Sequence, residues 1–264
     1  MDWRKTKTIF IITFLILNIF LASQIFEKRN ENQWDLITEA TIEEQFEADE
    51  ITYENLPKEQ VSESYISGKS YKFSVEDKEA LEKKGQTVEI VNETVLVGAF
   101  KEPIPAPETD METKLPSLLK DQLLFNDKYD YKFYRKGEKE FIFFQSYKKG
   151  LIYSNNESGM LSLYLDDENN IVSYKQTLIS ELKKLGDAQE LLTAFNALEN
   201  LYNMNELKPG SHVTDVKLGY YTLVQITSSH VLTPTWHIVV NGEQDFFVNA
   251  LEGQIIRKEN ITLE

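Results

Sequence analysis

The chain has 264 residues, of which 41% are apolar and 12% aromatic, enough for a packed core and too much for a disordered chain. Its 43 acidic and 28 basic residues give a formal net charge of −15, which argues against a nucleic-acid-binding protein. The sequence contains no cysteine, so disulfides, thiolate metal sites and a cysteine nucleophile are excluded.

The first predicted element is a membrane-spanning helix. Residues 8–26 are nineteen consecutive residues without a charged side chain. As an α-helix this run would be about 28 Å long, close to the roughly 30 Å of a bilayer's hydrocarbon core. Three basic residues precede the run and two follow it, and the seven residues before it leave no room for a folded domain. We therefore expect a single-pass membrane protein with residues 1–7 in the cytoplasm and the acidic remainder outside the cell.

A cleaved signal peptide is the alternative interpretation of this run. Signal peptides carry a shorter apolar stretch, about 7–15 residues, followed by a small-x-small cleavage site. Here the only small pair is Ala22-Ser23, and bulky Phe20 or Leu21 occupies the position where a small residue is needed. The sequence therefore favours an anchor that is not cleaved.

Asn18 lies near the middle of the predicted span and is the candidate contact to a partner helix, together with Ala22. A side-chain amide in hydrocarbon needs a hydrogen-bond partner, which it often finds on a neighbouring transmembrane helix. The alternative is a lone polar residue that bonds back to its own helix. The sequence spacing does not separate these two interpretations.

Residues 27–64 follow the span and are strongly acidic, which predicts a charged, helical juxtamembrane stalk with a solvated acidic face rather than a metal site. Residues 65–110 are expected to form the β-rich start of the exterior domain. Within them, the runs VEIV and VLVGAF, separated by Asn92-Glu93, predict a hairpin. Residues 101–116 contain four prolines and are predicted to be a linker or surface excursion.

The remainder is predicted to contain two helix-plus-sheet modules, residues 111–182 and 183–264, each in the order α-β-β-β-β. The segment LYLDDENNIV (163–172) aligns with FVNALEGQII (247–256), and both have a strand–turn–strand pattern. The predicted strands lie at 129–135, 140–147, 160–165 and 171–176 in the first module, and at 216–226, 235–240, 245–251 and 254–257 in the second. The expected fold class is α+β, with antiparallel sheets that are each covered by a helix.

The helices of the two modules are predicted from apolar stripes and start signals. The first is expected over Leu115–Phe125, with Pro116 in its first turn. The second is expected to begin at Asp187, with Glu190 three residues later in a capping-box-like arrangement, and to end before Pro209.

No catalytic motif is found along the chain. The histidines, His212, His230 and His237, have no zinc-binding spacing, and His237 is expected to have a structural role in a strand. The acidic segment 166–170 resembles a calcium loop but lacks its glycine and its final glutamate, so it predicts a polar hairpin turn. The sequence thus predicts no catalytic, cofactor or metal site and favours binding over catalysis.

Several short strings together resemble one family. They are Met1-Asp2-Trp3, Thr6-Lys7-Thr8, Phe10-Ile11 and Asn18 near the start, and Ser173-Tyr174-Lys175-Gln176, Leu218-Gly219-Tyr220-Tyr221 and Pro234-x-Trp236 further on. On these strings the chain resembles the YycI (WalI) family, and the resemblance extends over essentially the whole sequence.

This resemblance implies a single-pass membrane protein of low-GC Gram-positive bacteria. It implies that the protein acts with YycH on the essential sensor histidine kinase YycG (WalK) and so on cell-wall metabolism. It further implies restraint of the kinase through transmembrane-helix contacts, and exterior modules of PepSY-like type, similar to those of YycH. The alternative function is a wall-associated enzyme, or an inhibitor of one, tethered at the cell surface. Homo-oligomerisation is left open.

Overall fold

The computed structural model describes residues 3, 7, 8, 10–21, 41–226 and 228–257. The chain divides into an N-terminal unit, Met1–Asp49, and a main unit, Glu50–Glu264.

The N-terminal unit contains a helix over residues 10–21 and helix α1 (Ile42–Ala48). Helix α1 begins with a capping box, because the Thr41 hydroxyl accepts a hydrogen bond from the Glu44 backbone N–H and the Glu44 carboxylate accepts one from the Thr41 N–H. The predicted stalk residues 27–40 lie outside the described part of the chain.

The main unit is a mixed α+β fold dominated by β-structure. Its helices are α2 (Val75–Glu82), α3 (Met111–Leu119) and α4 (Ala194–Asn203), with a 3₁₀ turn at Asn126–Lys128. Its strands are β1 (Thr52–Tyr53), β2 (Ser62–Ser70), β3 (Gln86–Val91), β4 (Val95–Pro105), β5 (Tyr129–Arg135), β6 (Glu140–Tyr147), β7 (Gly150–Tyr153), β8 (Met160–Leu165), β9 (Asn170–Gln176), β10 (Ile179–Glu190), β11 (His212–Ile226), β12 (Ser229–Val240), β13 (Gln244–Asn249) and β14 (Ile255–Ile256). The stalk was predicted to be helical as far as residue 64. Its last part is instead β-structure, because β1 and the start of β2 lie within it.

The first sheet has the strand order β5-β6-β8-β9-β4-β3, and every neighbouring pair in it is antiparallel. The predicted hairpin at Asn92-Glu93 joins β3 to β4, and both of these residues have positive φ.

The second sheet is built around β12. Strand β11 pairs along one edge of β12, while β2 and β13 share the other edge, at Ser229–Leu232 and Thr235–Val240 respectively. Strand β10 borders β2, and β14 borders β13. Strands β1 and β7 both pair in parallel with β11, and β7 also pairs with β6, so β7 links the two sheets.

The strand order repeats within the main unit. Strands β5-β6-β8-β9 pair in sequence in the first sheet, and β11-β12-β13-β14 pair in the same way in the second. The aligned segments 163–172 and 247–256 are the hairpins β8–β9 and β13–β14. Along the chain, β7 comes between β6 and β8 of the first series. The second series has no corresponding strand between β12 and β13.

Helices α2 and α3 bury apolar residues in the core of the first sheet, with Leu81, Leu115 and Leu119 fully buried. At the centre of this core is Tyr174 of β9, whose hydroxyl donates to Oε1 of Gln86 at 2.7 Å. The Tyr174 ring lies over Gly98 of β4, where an added Cβ would stand 2.3 Å from ring atoms. Only glycine leaves room for the ring at this position.

Helix α4 lies beside strand β1 and the turn between β13 and β14. It begins at Thr193, whose hydroxyl accepts from the Asn196 N–H at 3.1 Å, and four of its residues are buried: Ala194, Ala197, Leu198 and Leu201. The Asn200 side chain donates to the carbonyl of Gly253, in the β13–β14 turn, at 3.1 Å. The helix is thus fixed to the last hairpin of the chain.

Both predicted helix positions need correction. Asp187 and Glu190 lie in strand β10, where Glu190 pairs with Ser62, and the helix follows seven residues after Asp187, at Ala194. The first helix spans Met111–Leu119, and Pro116 is inside it rather than in its first turn.

Candidate functional site

The helix over residues 10–21 carries the predicted contact residue Asn18. Ten large apolar side chains of this helix are between 49% and 75% exposed. They occupy every side of the helix. They are Phe10, Ile11, Ile12, Phe14, Leu15, Ile16, Leu17, Ile19, Phe20 and Leu21.

Asn18 is exposed on this helix, whereas Ala22 lies outside the described residues. Within the described part of the chain, no helix has both the length and the apolar character needed to cross a membrane. The described helix covers twelve of the nineteen residues of the predicted span. The pairing of Asn18 and Ala22 as partner contacts remains a prediction.

Open surface grooves are present on the described part of the main unit. One groove, of about 830 Å³, is lined by the segment after β1 and the start of α4, where the rings of Tyr53 and Phe195 are in edge-to-face contact with their centroids 6.1 Å apart. A second groove of about 420 Å³ lies beside β3 and β4, and a third of about 290 Å³ lies beside β13 and β14. None of the residues that line these three grooves forms a nucleophile–base pair.

His237 is buried in the second sheet. Its Nε2 lies 2.5 Å from Oδ1 of Asp245, and its ring stacks on Tyr153 with the centroids 4.8 Å apart. Burial lowers the pKa of His237, while the Asp245 carboxylate opposes that shift. With the imidazole neutral, Nε2–H donates to Asp245. This packing agrees with the structural role predicted for His237.

The other two histidines also have local partners. His230 is buried, with Nε2 2.7 Å from the Ser70 hydroxyl, and burial lowers its pKa. His212 is partly exposed, with Nδ1 2.7 Å from the Thr52 hydroxyl. In the part of the chain that the structure describes, no three His, Asp or Glu side chains are grouped so that they could hold a metal ion.

The segment that resembles a calcium loop is the turn between β8 and β9. Oδ1 of Asp166 accepts from the backbone N–H groups of Asn170 and Glu168, at 2.8 and 2.9 Å. These bonds, led by that from Asn170, lower the pKa of Asp166. The predicted polar hairpin turn is therefore confirmed.

A set of polar contacts connects the two sheets where β6 meets β7. The Gln145 side chain donates to the Ile179 carbonyl at 2.7 Å and accepts from the Ile179 N–H at 2.8 Å. Lys148 binds both carboxylate oxygens of Glu63, at 2.5 and 2.7 Å. These contacts hold the strands together and contain no reactive group in an activated environment.

The main unit is thus a sheet-dominated α+β domain with open grooves. Residues 30–251 match the sequence model of a family described as YycI protein. The chain belongs to the YycI family.

The solved structures that are similar to this chain include the following three. An uncharacterized protein from Eubacterium rectale ATCC 33656 has a TM-score of 0.47 at 13% identity, over 74% of this chain and 86% of that chain. YycH from Bacillus subtilis has a TM-score of 0.45 at 14% identity, over 75% of this chain and 54% of that chain. The YpeB C-terminal domain of Bacillus megaterium has a TM-score of 0.40 at 11% identity, over 70% of this chain and 96% of that chain. A search of curated proteins gave no match.

Proposed function

We propose that this chain is a membrane-anchored accessory regulator of the sensor histidine kinase YycG (WalK), acting together with YycH. Membership of the YycI family over residues 30–251 is the observation that carries this proposal. In the proposal the regulator restrains the kinase and so limits its effect on cell-wall metabolism. The exterior part consists of tandem PepSY-like modules, and the repeated strand order of the two sheets supports this.

The proposal places residues 8–26 across the membrane, with residues 1–7 in the cytoplasm and the main unit outside. The apolar, exposed side chains of the helix over residues 10–21 support this placement. N-terminal sequencing of the membrane-extracted protein should show the intact start. A mature chain that begins near Gln24 would contradict the anchor.

The absence of cysteine makes the orientation directly measurable. A Gly137→Cys variant places a thiol in the exposed β5–β6 turn, and a Lys5→Cys variant places one before the span. A membrane-impermeant maleimide applied to intact cells should label the first variant and should label the second only after permeabilisation. The reverse pattern would exclude the proposed orientation.

Kinase association through the span is tested at Asn18. The Asn18→Leu variant removes a polar group from hydrocarbon, so we expect it to insert at least as well as the parent chain. We expect it to weaken association with the kinase by about 1 kcal/mol, or several-fold, because an interhelical hydrogen bond is lost. A bacterial two-hybrid assay with full-length proteins measures this association.

Two further variants control the Asn18 experiment. Asn18→Gln keeps the amide and should retain part of the association, while the adjacent apolar exchange Ile19→Leu should retain all of it. Unchanged association and unchanged kinase output in Asn18→Leu would remove Asn18 from the interface. Deletion of the whole chain should raise kinase output, and a fall would reverse the proposed sign of regulation.

A further inference from the structure

Strand β7, which links the two sheets, is held by few backbone pairs. Its residues Gly150 and Leu151 pair with β6, and Ile152 and Tyr153 pair with β11. A strand with so few pairs depends on its side-chain contacts to stay in place. The Tyr153 ring makes such a contact, because it stacks on His237 of β12 with 29° between the ring planes.

The surroundings of the His237 ring suit its neutral form. The ring packs against Tyr153 and Phe247, at centroid distances of 4.8 and 5.1 Å, and its side chain is 1% exposed. Nε2 is bound to Asp245, whereas Nδ1 has no hydrogen-bond partner among the described residues. A neutral imidazole has one N–H, which Asp245 accepts. A protonated ring would carry a second N–H, buried without an acceptor.

The charged groups that act on His237 come from both sheets. In the second sheet they are the carboxylates of Asp245 on β13 and Asp215 on β11, where Lys217 pairs with Asp215 at 2.9 Å. In the first sheet it is the ammonium group of Lys132, at the bulge of β5. Burial has the largest influence and lowers the pKa of His237. The two carboxylates favour the protonated ring, and Lys132 opposes it.

The group that β7 itself presents to His237 is the phenol of Tyr153. Burial raises the pKa of this phenol, so Tyr153 stays neutral wherever a histidine titrates. The proton-dependent behaviour of the contact therefore lies with the imidazole.

We propose that His237 is a proton-sensitive contact that holds β7 against the second sheet at neutral pH and releases it in acid. A proton on Nδ1 needs an acceptor, and water can supply one when Tyr153 moves away from the ring. Proton uptake and local opening therefore favour each other. Asp245 connects the buried ring to solvent, because its side chain is 32% exposed and lines the 290 Å³ groove. The inference does not depend on the proposed action on a kinase.

Hydrogen exchange of the full-length protein in nanodiscs of zwitterionic lipid, followed by mass spectrometry, tests this proposal. The peptide over residues 148–155 reports on β7, and the peptide over residues 170–176 reports on β9. The data are corrected for the intrinsic pH dependence of exchange. Opening of β7 should then increase by up to about tenfold per pH unit as the pH falls below about 6.5, where an exposed histidine titrates.

Dilute urea separates local opening from global unfolding. Local opening exposes little surface, so the exchange of β7 should hardly change with urea, whereas global unfolding depends on urea steeply. If β7 exchange depends on urea as steeply as β9 exchange does, only global unfolding exposes β7, and the proposal is overturned.

Replacement of the histidine tests its role directly. His237→Gln keeps a donor toward Asp245 but cannot take up a proton, so the pH dependence of β7 opening should disappear. His230→Asn is the matched control, because it removes the other buried histidine of β12 and should keep the pH dependence of the parent chain. An unchanged pH dependence in His237→Gln, or its loss in His230→Asn, would contradict the proposal.

Two charge variants keep the proposal falsifiable if the melting curve shows that His237→Gln does not fold. Asp245→Asn removes a carboxylate that favours the protonated ring, so the midpoint of β7 opening should move to lower pH. Lys132→Gln removes the opposing positive charge, so the midpoint should move to higher pH. Midpoints that move in the same direction, or do not move, would refute control by His237.

Discussion

The two sheets of the main unit share a strand order but differ in how they are completed and in what they bury. The first sheet gains β4 and β3, and its core contains apolar and aromatic side chains around Tyr174. The second sheet ends at β14, and its strands β11 and β12 contain all three histidines of the chain. The same strand series thus gives one sheet that is extended by β4 and β3 and another that contains the titratable histidines.

This difference indicates a division of roles. A core of apolar residues responds mainly to changes of packing. A sheet that includes buried His230 and His237 responds to protons as well. Substitutions that disturb packing should therefore reduce stability in the core of either sheet. The pH dependence of stability should come from the second sheet.

The largest expected effect comes from truncating a buried leucine in the helix that covers each sheet. Leu119→Ala in α3 and Leu201→Ala in α4 should each lower the free energy of unfolding by about 2–5 kcal/mol, because both side chains are fully buried. Leu118→Ala, at a position that is 41% exposed, should cost less than about 1 kcal/mol. Urea denaturation followed by circular dichroism measures all three.

The same pair of variants tests whether the two sheets unfold together. Because β7 pairs with strands of both sheets, we expect one transition that both variants shift. Two transitions, with Leu119→Ala moving one and Leu201→Ala the other, would show that the sheets are independent domains.

The next largest effect on stability concerns the packing of β4 beside β9 in the first sheet. Gly98→Ala places a Cβ against the ring of Tyr174 and should destabilise the protein by about 1–3 kcal/mol, because the packed core cannot shift far. Gly137→Ala is the matched control, since no heavy atom lies within 4 Å of its added Cβ. Equal thermal stability of the two variants would show that β4 is not tightly packed against Tyr174 of β9.

The smallest effect is the pH dependence of the second sheet. Burial lowers the pKa of His230 and of His237. The unfolded chain, with a histidine pKa near 6.5, therefore binds protons first as the pH falls. The free energy of unfolding should therefore be highest above about pH 7. It should decrease as the pH drops through about 6.5, by at most about 1.4 kcal/mol per pH unit for each histidine.

Replacement of both histidines tests this origin. The double variant His230→Asn, His237→Gln should show a flatter stability profile between pH 7 and pH 5 in urea denaturation. Leu119→Ala, which changes the other sheet, should keep the slope of the parent chain. An unchanged slope in the double variant would place the pH dependence elsewhere.

Strands and turns are predicted most accurately from the sequence where a strong local pattern agrees with the strand pairing in the structure. Strands β6 and β8 have the predicted bounds because their residues are almost continuously apolar and their ends are marked by turns. The Asn241-Gly242 turn has φ of 55° and 72° and joins β12 to β13, as the dipeptide predicts.

The incorrect predictions have non-local causes. Asp187 and Glu190 have the spacing of a helix start, but the pairing of β10 with β2, more than 100 residues away in sequence, makes them a strand. A local signal for the true start was present at Thr193 and Asn196, where the hydroxyl caps the helix. Strand β7 was missed because four residues carry little periodicity and its parallel partner is β11.

The candidate binding surfaces were predicted less completely than the fold. Asn18 could be identified because a polar residue in an apolar run is visible in the sequence alone. The pairing of β14 could not, since it depends on which strand lies beside β13. The aligned segments 163–172 and 247–256 were the available signal, and only the first of them has a partner strand in β4.

The arrangement of β1 and β2 has a consequence for how the chain is assembled during synthesis. The first sheet needs only residues 86–176, whereas the second joins β1 and β2 to His212–Val213 and Ser229–Leu232. Strand β1 must therefore wait until more than 150 further residues have left the ribosome, whereas β2 meets its first partner, β10, after more than 100. Closure of such distant pairs is slow, and unpaired strand edges are prone to aggregate. The first sheet can form while β1 and β2 are still unpaired, so the last step of assembly is the closure of the second.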